Sequence, residues 1–228
     1  MRKIITAITL MTLVGTISAW AQSDDNGEIV VKTKPNVVKI GPKVGIGFTS
    51  MTQPNEVDLY DKAGTGFSFG LSLKTRLGRA TKETLKGGTG YVGFGLDVLY
   101  KQNKAKTTGS QDLSISYLEF PLTLQIYPMA RSNMMNAFYI EAGPDFAIIA
   151  SKSPETLNVP QANISYHTGD LKGGDLRMIV GLGYTIPKTS LDINARYYIG
   201  TSKLANNFPC KMSTFELSLA WMVNIAKF

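Results

Sequence analysis

The chain has 228 residues, enough for one domain with a sizeable core, and its formal net charge is +7. Its single cysteine excludes an intramolecular disulfide framework. The basic residues form no cluster with interleaved aromatic residues, so the positive charge does not predict a nucleic-acid partner. After residue 21 no stretch approaches eighteen consecutive apolar residues, so any membrane crossing has to use strands.

Residues 1–21 are predicted to be a secretory signal peptide. Arg2 and Lys3 form its basic start, an apolar run extends from Ile4 to Ile17, and Ala19-Trp20-Ala21 is a small-x-small cleavage site. Loss of Arg2 and Lys3 leaves +5 on the mature chain. The polar residues 22–36 predict a flexible periplasmic arm. Residues 37–228 are then the barrel domain predicted below.

Alternating apolar and polar residues predict eight strands after this arm. The alternation is clearest in 137–151, where Glu141, Gly143 and Asp145 share the face opposite Phe138 and Ile140. A period of two residues is typical of strands and not of helices. The predicted strands are 37–51, 65–77, 91–102, 113–127, 137–151, 175–187, 190–200 and 212–227.

Charged residues are concentrated on one face of these strands. The apolar positions of the other face, from Val38 to Ile225, carry no charge, whereas the ten charges named below share the charged face with many glycines. A cation on a lipid-exposed face near the bilayer centre costs about 2–4 kcal/mol, so charges are confined to the lumen. The pattern predicts an all-β, eight-stranded, antiparallel up-and-down transmembrane barrel, with a soluble β-sandwich as the alternative. The predicted lumen cluster, given a structural role, is Lys43, Lys74, Arg76, Asp97, Glu119, Glu141, Asp145, Arg177, Asp192 and Arg196.

The connections indicate an orientation for this barrel. With a periplasmic N-terminus, the outside loops are 52–64, 103–112, 152–174 and 201–211, and most are longer than the inside turns 78–90, 128–136 and 188–189. Loop 152–174 is the best candidate for a binding surface. Prolines at 42, 121 and 144 predict bulges because each removes a ladder donor. The phase of Phe228 predicts a kink near Ala226 or, alternatively, an assembly signal that is read without strict phase.

The segments SYLEFPLTLQIYP, FYIEAGPDFAI and LDINARYYIGTSKL resemble the PorT-like outer-membrane β-barrel family of Bacteroidota. The matching motifs are Tyr117 to Leu122, Glu141 to Pro144, Arg196 to Gly200 and the terminal Phe228. The resemblance covers most of residues 38–228 and implies an eight-stranded barrel in the bacterial outer membrane. It implies no specific activity, because one fold carries many functions.

No residue pattern predicts an enzyme, a cofactor site or a metal site. His167 is the only histidine, and Cys210 lacks the basic neighbours that activate a thiol. The carboxylates Glu119 and Glu141 are read as partners in lumen ion pairs. We therefore expect a structural or surface-interaction barrel, with a PorT-like secretion-accessory role as a special case. A narrow porin-like channel for small solutes is the alternative. The expected partners are outer-membrane lipid and, through the outside loops, other envelope or extracellular proteins.

Overall fold

The fold was analysed in a computed structural model of the chain. The structure describes residues 37–52, 60–77, 91–107, 113–130, 135, 137–159, 164–167, 173–186, 189–201 and 211–227. The predicted signal peptide 1–21, the arm 22–36, the long turn 78–90, Cys210 and Phe228 lie outside these residues. Within them, no helix is long and apolar enough to span a membrane.

The described residues form eleven strands. Five long ones come first, followed by a short pair and then by the strands that complete the sheet. Their bounds are β1 Val37–Thr52, β2 Tyr60–Arg76, β3 Val92–Thr107, β4 Leu113–Ile126, β5 Phe138–Ser153, β6 Thr156–Val159, β7 Ile164–His167, β8 Gly174–Thr185, β9 Leu191–Gly200, β10 Lys211–Trp221 and β11 Val223–Lys227.

Nine of these strands form one closed antiparallel sheet. Each wall strand pairs with its neighbours along the chain, and β8 follows β5 directly because β6 and β7 pair only with each other. The sheet closes where β1 pairs with β10 and with β11, which together occupy one position in the wall. The wall therefore has eight positions. The predicted eight-stranded antiparallel up-and-down barrel is confirmed.

The two faces of the wall separate apolar from charged side chains as the alternation predicted. Large apolar side chains point outward around the whole barrel, and Trp221 is 60% exposed. The outward set includes Val44, Ile46, Phe69, Leu71, Leu124, Ile140, Val180, Leu182 and Leu217. In water such a continuous band would be unfavourable, whereas in lipid it is the surface that a barrel presents to acyl chains.

Several details of the strands differ from the prediction. The last predicted strand, 212–227, is interrupted at Met222, although the side chains still alternate there, with Met222 buried between the outward Trp221 and Val223. The predicted loop 152–174 contains the hairpin of β6 and β7, which the sequence did not predict. Strand β3 continues to Thr107, beyond the predicted end at 102, so the wall extends further there.

The prediction of bulges at the three prolines is wrong. Ladder pairs are missing beside Pro42, Pro121 and Pro144, yet the register on the two sides of each gap is the same. A missing donor therefore opens the ladder locally without adding a residue. The register shifts elsewhere, including between β1 and β11, where Ile225 is the extra residue. That shift agrees with the predicted kink near Ala226.

The two rims of the barrel differ in their connections. Strand β1 begins and β11 ends at one rim, here called the termini end, together with the connections 77–91, 127–137 and 186–190. The opposite rim, here called the loop end, bears the connections 53–59, 108–112, 154–173 and 201–210. The β6–β7 hairpin belongs to the loop end. The longest connection, 154–173, lies at the loop end, but 77–91 at the termini end is longer than the other three loop-end connections. The usual pattern of longer loops at one rim is therefore only partly followed.

Candidate functional site: the charged lumen

The barrel lumen brings together the charges that alternation placed on the inner face. Nine of the ten predicted residues are buried, and Arg76 is half-buried near the termini end. Arg76 places its guanidinium over the ring of Tyr127, with 3.9 Å from Cζ to the ring centroid. The other nine divide into two groups at different heights along the barrel axis.

The first group, here called the Arg196 network, consists of Lys43, Lys74, Asp97, Glu141, Asp192 and Arg196. Arg196 lies at its centre and contacts two carboxylates. Its Nε donates to Glu141 Oε1 at 2.5 Å, and its Nη1 donates to Asp97 Oδ2 at 2.5 Å. Asp97 also accepts from Lys43 Nζ at 2.9 Å and from Ser72 Oγ at 2.5 Å. Charge-assisted hydrogen bonds from one guanidinium to two carboxylates offset part of the free energy lost on desolvation of these groups.

Glu141 is held by neutral donors as well as by Arg196. Asn194 Nδ2 donates to its Oε1 at 2.7 Å, and Thr123 Oγ1 and Gln125 Nε2 each donate to its Oε2 at 3.1 Å. Both carboxylate oxygens therefore have partners, as a buried charge requires.

The part of the network nearest the termini end is centred on Asp192. Its carboxylate accepts from Lys74 Nζ at 2.5 Å, from Tyr139 Oη at 2.8 Å and from Thr185 Oγ1 at 2.6 Å. Asn194 Nδ2 donates to the Tyr139 hydroxyl at 3.2 Å and so links this part to Glu141. The hydrogen bonds thus form one connected set from Lys43 to Lys74.

The partners in this network belong to strands that are not neighbours in the wall. Arg196 on β9 reaches Asp97 on β3, and Lys74 on β2 reaches Asp192 on β9. Side chains from seven of the eight wall positions take part, on β1, β2, β3, β4, β5, β8 and β9. The bonds consequently cross the lumen instead of following its wall.

The second group lies nearer the loop end and is here called the Arg177 network, formed by Lys101, Glu119, Asp145, Arg177 and Glu216. Arg177 Nη2 contacts both Glu119 and Asp145. Lys101 Nζ lies 2.8 Å from Glu216 and 3.7 Å from Glu119, and 3.3 Å from the centroid of the Tyr198 ring. The ring face stabilises the ammonium group through its negative quadrupole.

The lumen also contains Lys101 and Glu216, which were not predicted. Both are buried, and both have the parity of the lumen face, which the alternation was sufficient to show. With these two residues, the lumen charges named so far are six cations and six carboxylates, and the buried Asp175 and the half-buried Lys39 lie on the same face. Also not predicted were Tyr117, Tyr139 and Tyr198, each 0% exposed, whose rings fill space between the charges.

The arrangement can lock the wall strands together and occupy the lumen. The described residues contain no group of three or more histidine, cysteine, aspartate or glutamate side chains placed to hold a metal ion. The Arg196 network contains three cations and three carboxylates, and the Arg177 network contains two cations and three carboxylates. Both networks join strands that are not neighbours in the wall and so cross-link it.

Solved outer-membrane proteins are similar to this chain at low identity. The Neisserial surface protein A is 10% identical, with 81% of this chain and 96% of that chain covered and a TM-score of 0.45. The attachment invasion locus protein Ail of Yersinia pestis, in complex with sucrose octasulfate, is 14% identical, with 82% and 99% covered and a TM-score of 0.40. OprG of Pseudomonas aeruginosa is 13% identical, with 85% and 98% covered and a TM-score of 0.41.

No curated protein matches this sequence significantly. The profile of the outer membrane protein beta-barrel domain family matches residues 20–206, which is most of the chain. The match contains β1 to β9 and therefore nearly the whole wall. A closed wall with an apolar outer band agrees with that assignment and with contact to membrane lipid. The chain belongs to the outer membrane protein beta-barrel domain family, and its place is the bacterial outer membrane.

Proposed function

We propose that this protein is a plugged, non-enzymatic outer-membrane barrel that acts through the surface at its loop end. In this proposal residues 1–21 direct export and are removed, 22–36 are a periplasmic arm, and the ten predicted lumen charges have a structural role. The barrel is a rigid support for loops that contact other envelope or extracellular proteins.

The proposal that the lumen is plugged rests on the ion pairs across it. Arg196 joins Asp97 and Glu141 at 2.5 Å each, from three different wall strands. An eight-stranded barrel encloses little more space than its inward side chains fill. Opening a path for solutes would require several of these buried pairs to separate, and each separation would leave a buried charge without compensation.

Planar-bilayer recording of the purified barrel tests the plug. We expect no steady single-channel conductance from the wild-type chain, because the cross-lumen pairs occupy the path. The matched variant Asp97→Ala removes one acceptor of Arg196 and so shows whether a single pair controls the path. Steady, reproducible conductance steps from the wild type would refute the plug and support the narrow porin-like channel instead.

The loop end supports a role in recognition through the β6–β7 hairpin. Its two strands pair over four residues each, from Thr156↔His167 to Val159↔Ile164, and the hairpin joins no wall strand. A hairpin with both edges outside the wall offers backbone donors and acceptors to an added strand of a partner protein. The alternative is that the hairpin binds no partner protein.

Deletion of residues 155–168 tests this role. Because the hairpin makes no ladder with the wall, we expect the shortened barrel to assemble and keep its heat-modifiable gel migration. The same deletion is expected to abolish capture of envelope or extracellular proteins by the immobilised barrel. Failure of the shortened chain to assemble would contradict a separate hairpin, and unchanged capture would place recognition on the other loops.

The PorT-like motifs support a narrower form of the proposal, in which the partners belong to a secretion system. The motif residues Glu141 and Arg196 are a buried ion pair, which accounts for them as parts of the barrel interior. A secretion-accessory role therefore rests on the loop-end surface. Crosslinking at the loop end in whole cells, followed by identification of the partner, distinguishes this role from general surface interaction.

A further inference from the structure

A cavity of about 330 Å³ opens at the termini end of the barrel. Its lining includes Lys39, Lys74, Arg76 and Asp192, with Ser190 on the connection between β8 and β9. The volume falls at the lower end of the range typical of small-molecule sites. It is separate from the loop end, so its occupant is independent of the recognition proposed above.

The described lining of this cavity has an excess of positive charge. It contains three cations and one carboxylate, Asp192. That carboxylate already accepts hydrogen bonds from Lys74, Tyr139 and Thr185 at 2.5–2.8 Å. The Asp192 charge is therefore engaged with Lys74 on the lumen side, and Lys39 and Arg76 are the other two cations of the lining.

Lys39 and Arg76 differ in how they are held. The Arg76 guanidinium lies over the Tyr127 ring, with 3.9 Å from Cζ to the ring centroid, so this contact holds it in place beside the cavity. The half-buried Lys39 forms no ion pair with another residue in the described part of the chain. A planar guanidinium with a nearby ammonium group is the donor set that recognises phosphate oxygens.

We propose that this cavity binds a phosphate-bearing anion. Lys39 and Arg76 contact the phosphate oxygens, and the remaining volume accepts a substituent of the size of a lipid headgroup. The phosphate belongs either to free inorganic phosphate or to an anionic lipid of the adjacent leaflet, and the two sources share this chemistry. The site does not depend on whether the lumen conducts.

The test uses Ser190, which has a φ of 61° and lines the cavity. Aspartate and asparagine both tolerate this backbone conformation, so Ser190→Asp and Ser190→Asn are a matched pair that differ in one charge. Amide NMR shifts of the folded full-length mature barrel in micelles are followed during titration with inorganic phosphate, and separately with short-chain phosphatidylglycerol. We expect Ser190→Asn to bind like the wild type and Ser190→Asp to bind roughly three- to tenfold more weakly, from charge repulsion near the surface.

Two further variants keep the test decisive. Lys39→Gln is expected to weaken binding, whereas Lys211→Gln, the same charge change at the loop end, is expected to leave it unchanged. Saturable binding of inorganic phosphate assigns the site to the free anion, and binding of phosphatidylglycerol alone assigns it to a lipid headgroup. The proposal is overturned if neither probe shifts the amides around the cavity. It is also overturned if Ser190→Asp and Ser190→Asn bind the phosphate probe with equal affinity. Equal affinity of Lys39→Gln and Lys211→Gln would overturn it as well.

Discussion

Replacement of Gly41 by alanine is expected to prevent closure of the barrel. A Cβ atom at Gly41 would overlap the backbone carbonyl oxygen of Trp221, where β1 meets the break between β10 and β11. A backbone atom cannot rotate away, so β1 and its partner would have to separate. Unpaired backbone groups in lipid cost several kcal/mol each, and the separation of β1 from its partner strand would expose more than one of them. We expect almost no heat-modifiable, folded band on a gel after refolding into vesicles.

Gly47→Ala is the matched control for this prediction. Gly47 lies on the same strand and the same inner face, but its added Cβ would first meet the Thr214 Cγ2 atom at 3.1 Å. A side-chain methyl can shift by a few tenths of an ångström, so this variant should fold nearly as well as the wild type. If the two variants fold equally well, the gap between Gly41 and the Trp221 carbonyl oxygen is wider than in this structure.

Glu141→Ala is expected to destabilise the barrel by about 3–5 kcal/mol, the usual effect of removing one partner from a buried ion pair. The variant leaves Arg196 with Asp97 as its remaining anion and leaves Asn194 and Gln125 without their shared acceptor. For a chain of this size the loss corresponds to a fall of roughly 10 °C in the unfolding temperature. The temperature at which the band shifts on a gel measures it.

Two controls separate this effect from a general one. Glu141→Gln retains the shape and one carbonyl acceptor, so its loss should be smaller than that of the alanine variant. Lys211→Ala, an exposed change at the loop end, should shift the unfolding temperature little, as surface substitutions usually do. Neither Glu141 variant should conduct ions, since Arg196 and its other partners still occupy the lumen. If Glu141→Ala leaves the unfolding temperature unchanged, the Glu141–Arg196 pair makes no net contribution to the stability of the barrel.

The sequence was sufficient to predict the wall of the barrel because alternation is a local property. In β8, for example, Met178 and Val180 point outward while Arg177 and Ile179 are buried, as their order alone requires. Strand ends were less predictable, since pairing and not propensity ends them. The β6–β7 hairpin was missed because four residues per strand give too short a pattern to recognise.

The membership of the lumen cluster was largely predictable, but its pairing was not. Parity places Arg196 and Asp97 inside, yet only the register of every intervening strand brings them within 2.5 Å across the barrel. That register depends on one-residue shifts such as the one at Ala150, opposite Ser116 and Tyr117, which no local pattern marked. For the same reason the separation into two networks could not be foreseen, nor could the cavity beside Lys39.

The cross-lumen bonds also have a kinetic consequence. Arg196 and Asp97 come from opposite sides of the wall, so their bond forms only after the sheet has curled and closed. Interactions that are absent from the transition state for folding slow unfolding without speeding folding. The lumen network should therefore slow unfolding of the inserted barrel. Insertion is expected to proceed while these charges are still hydrated, and the finished barrel is then expected to leave the membrane-inserted state very slowly.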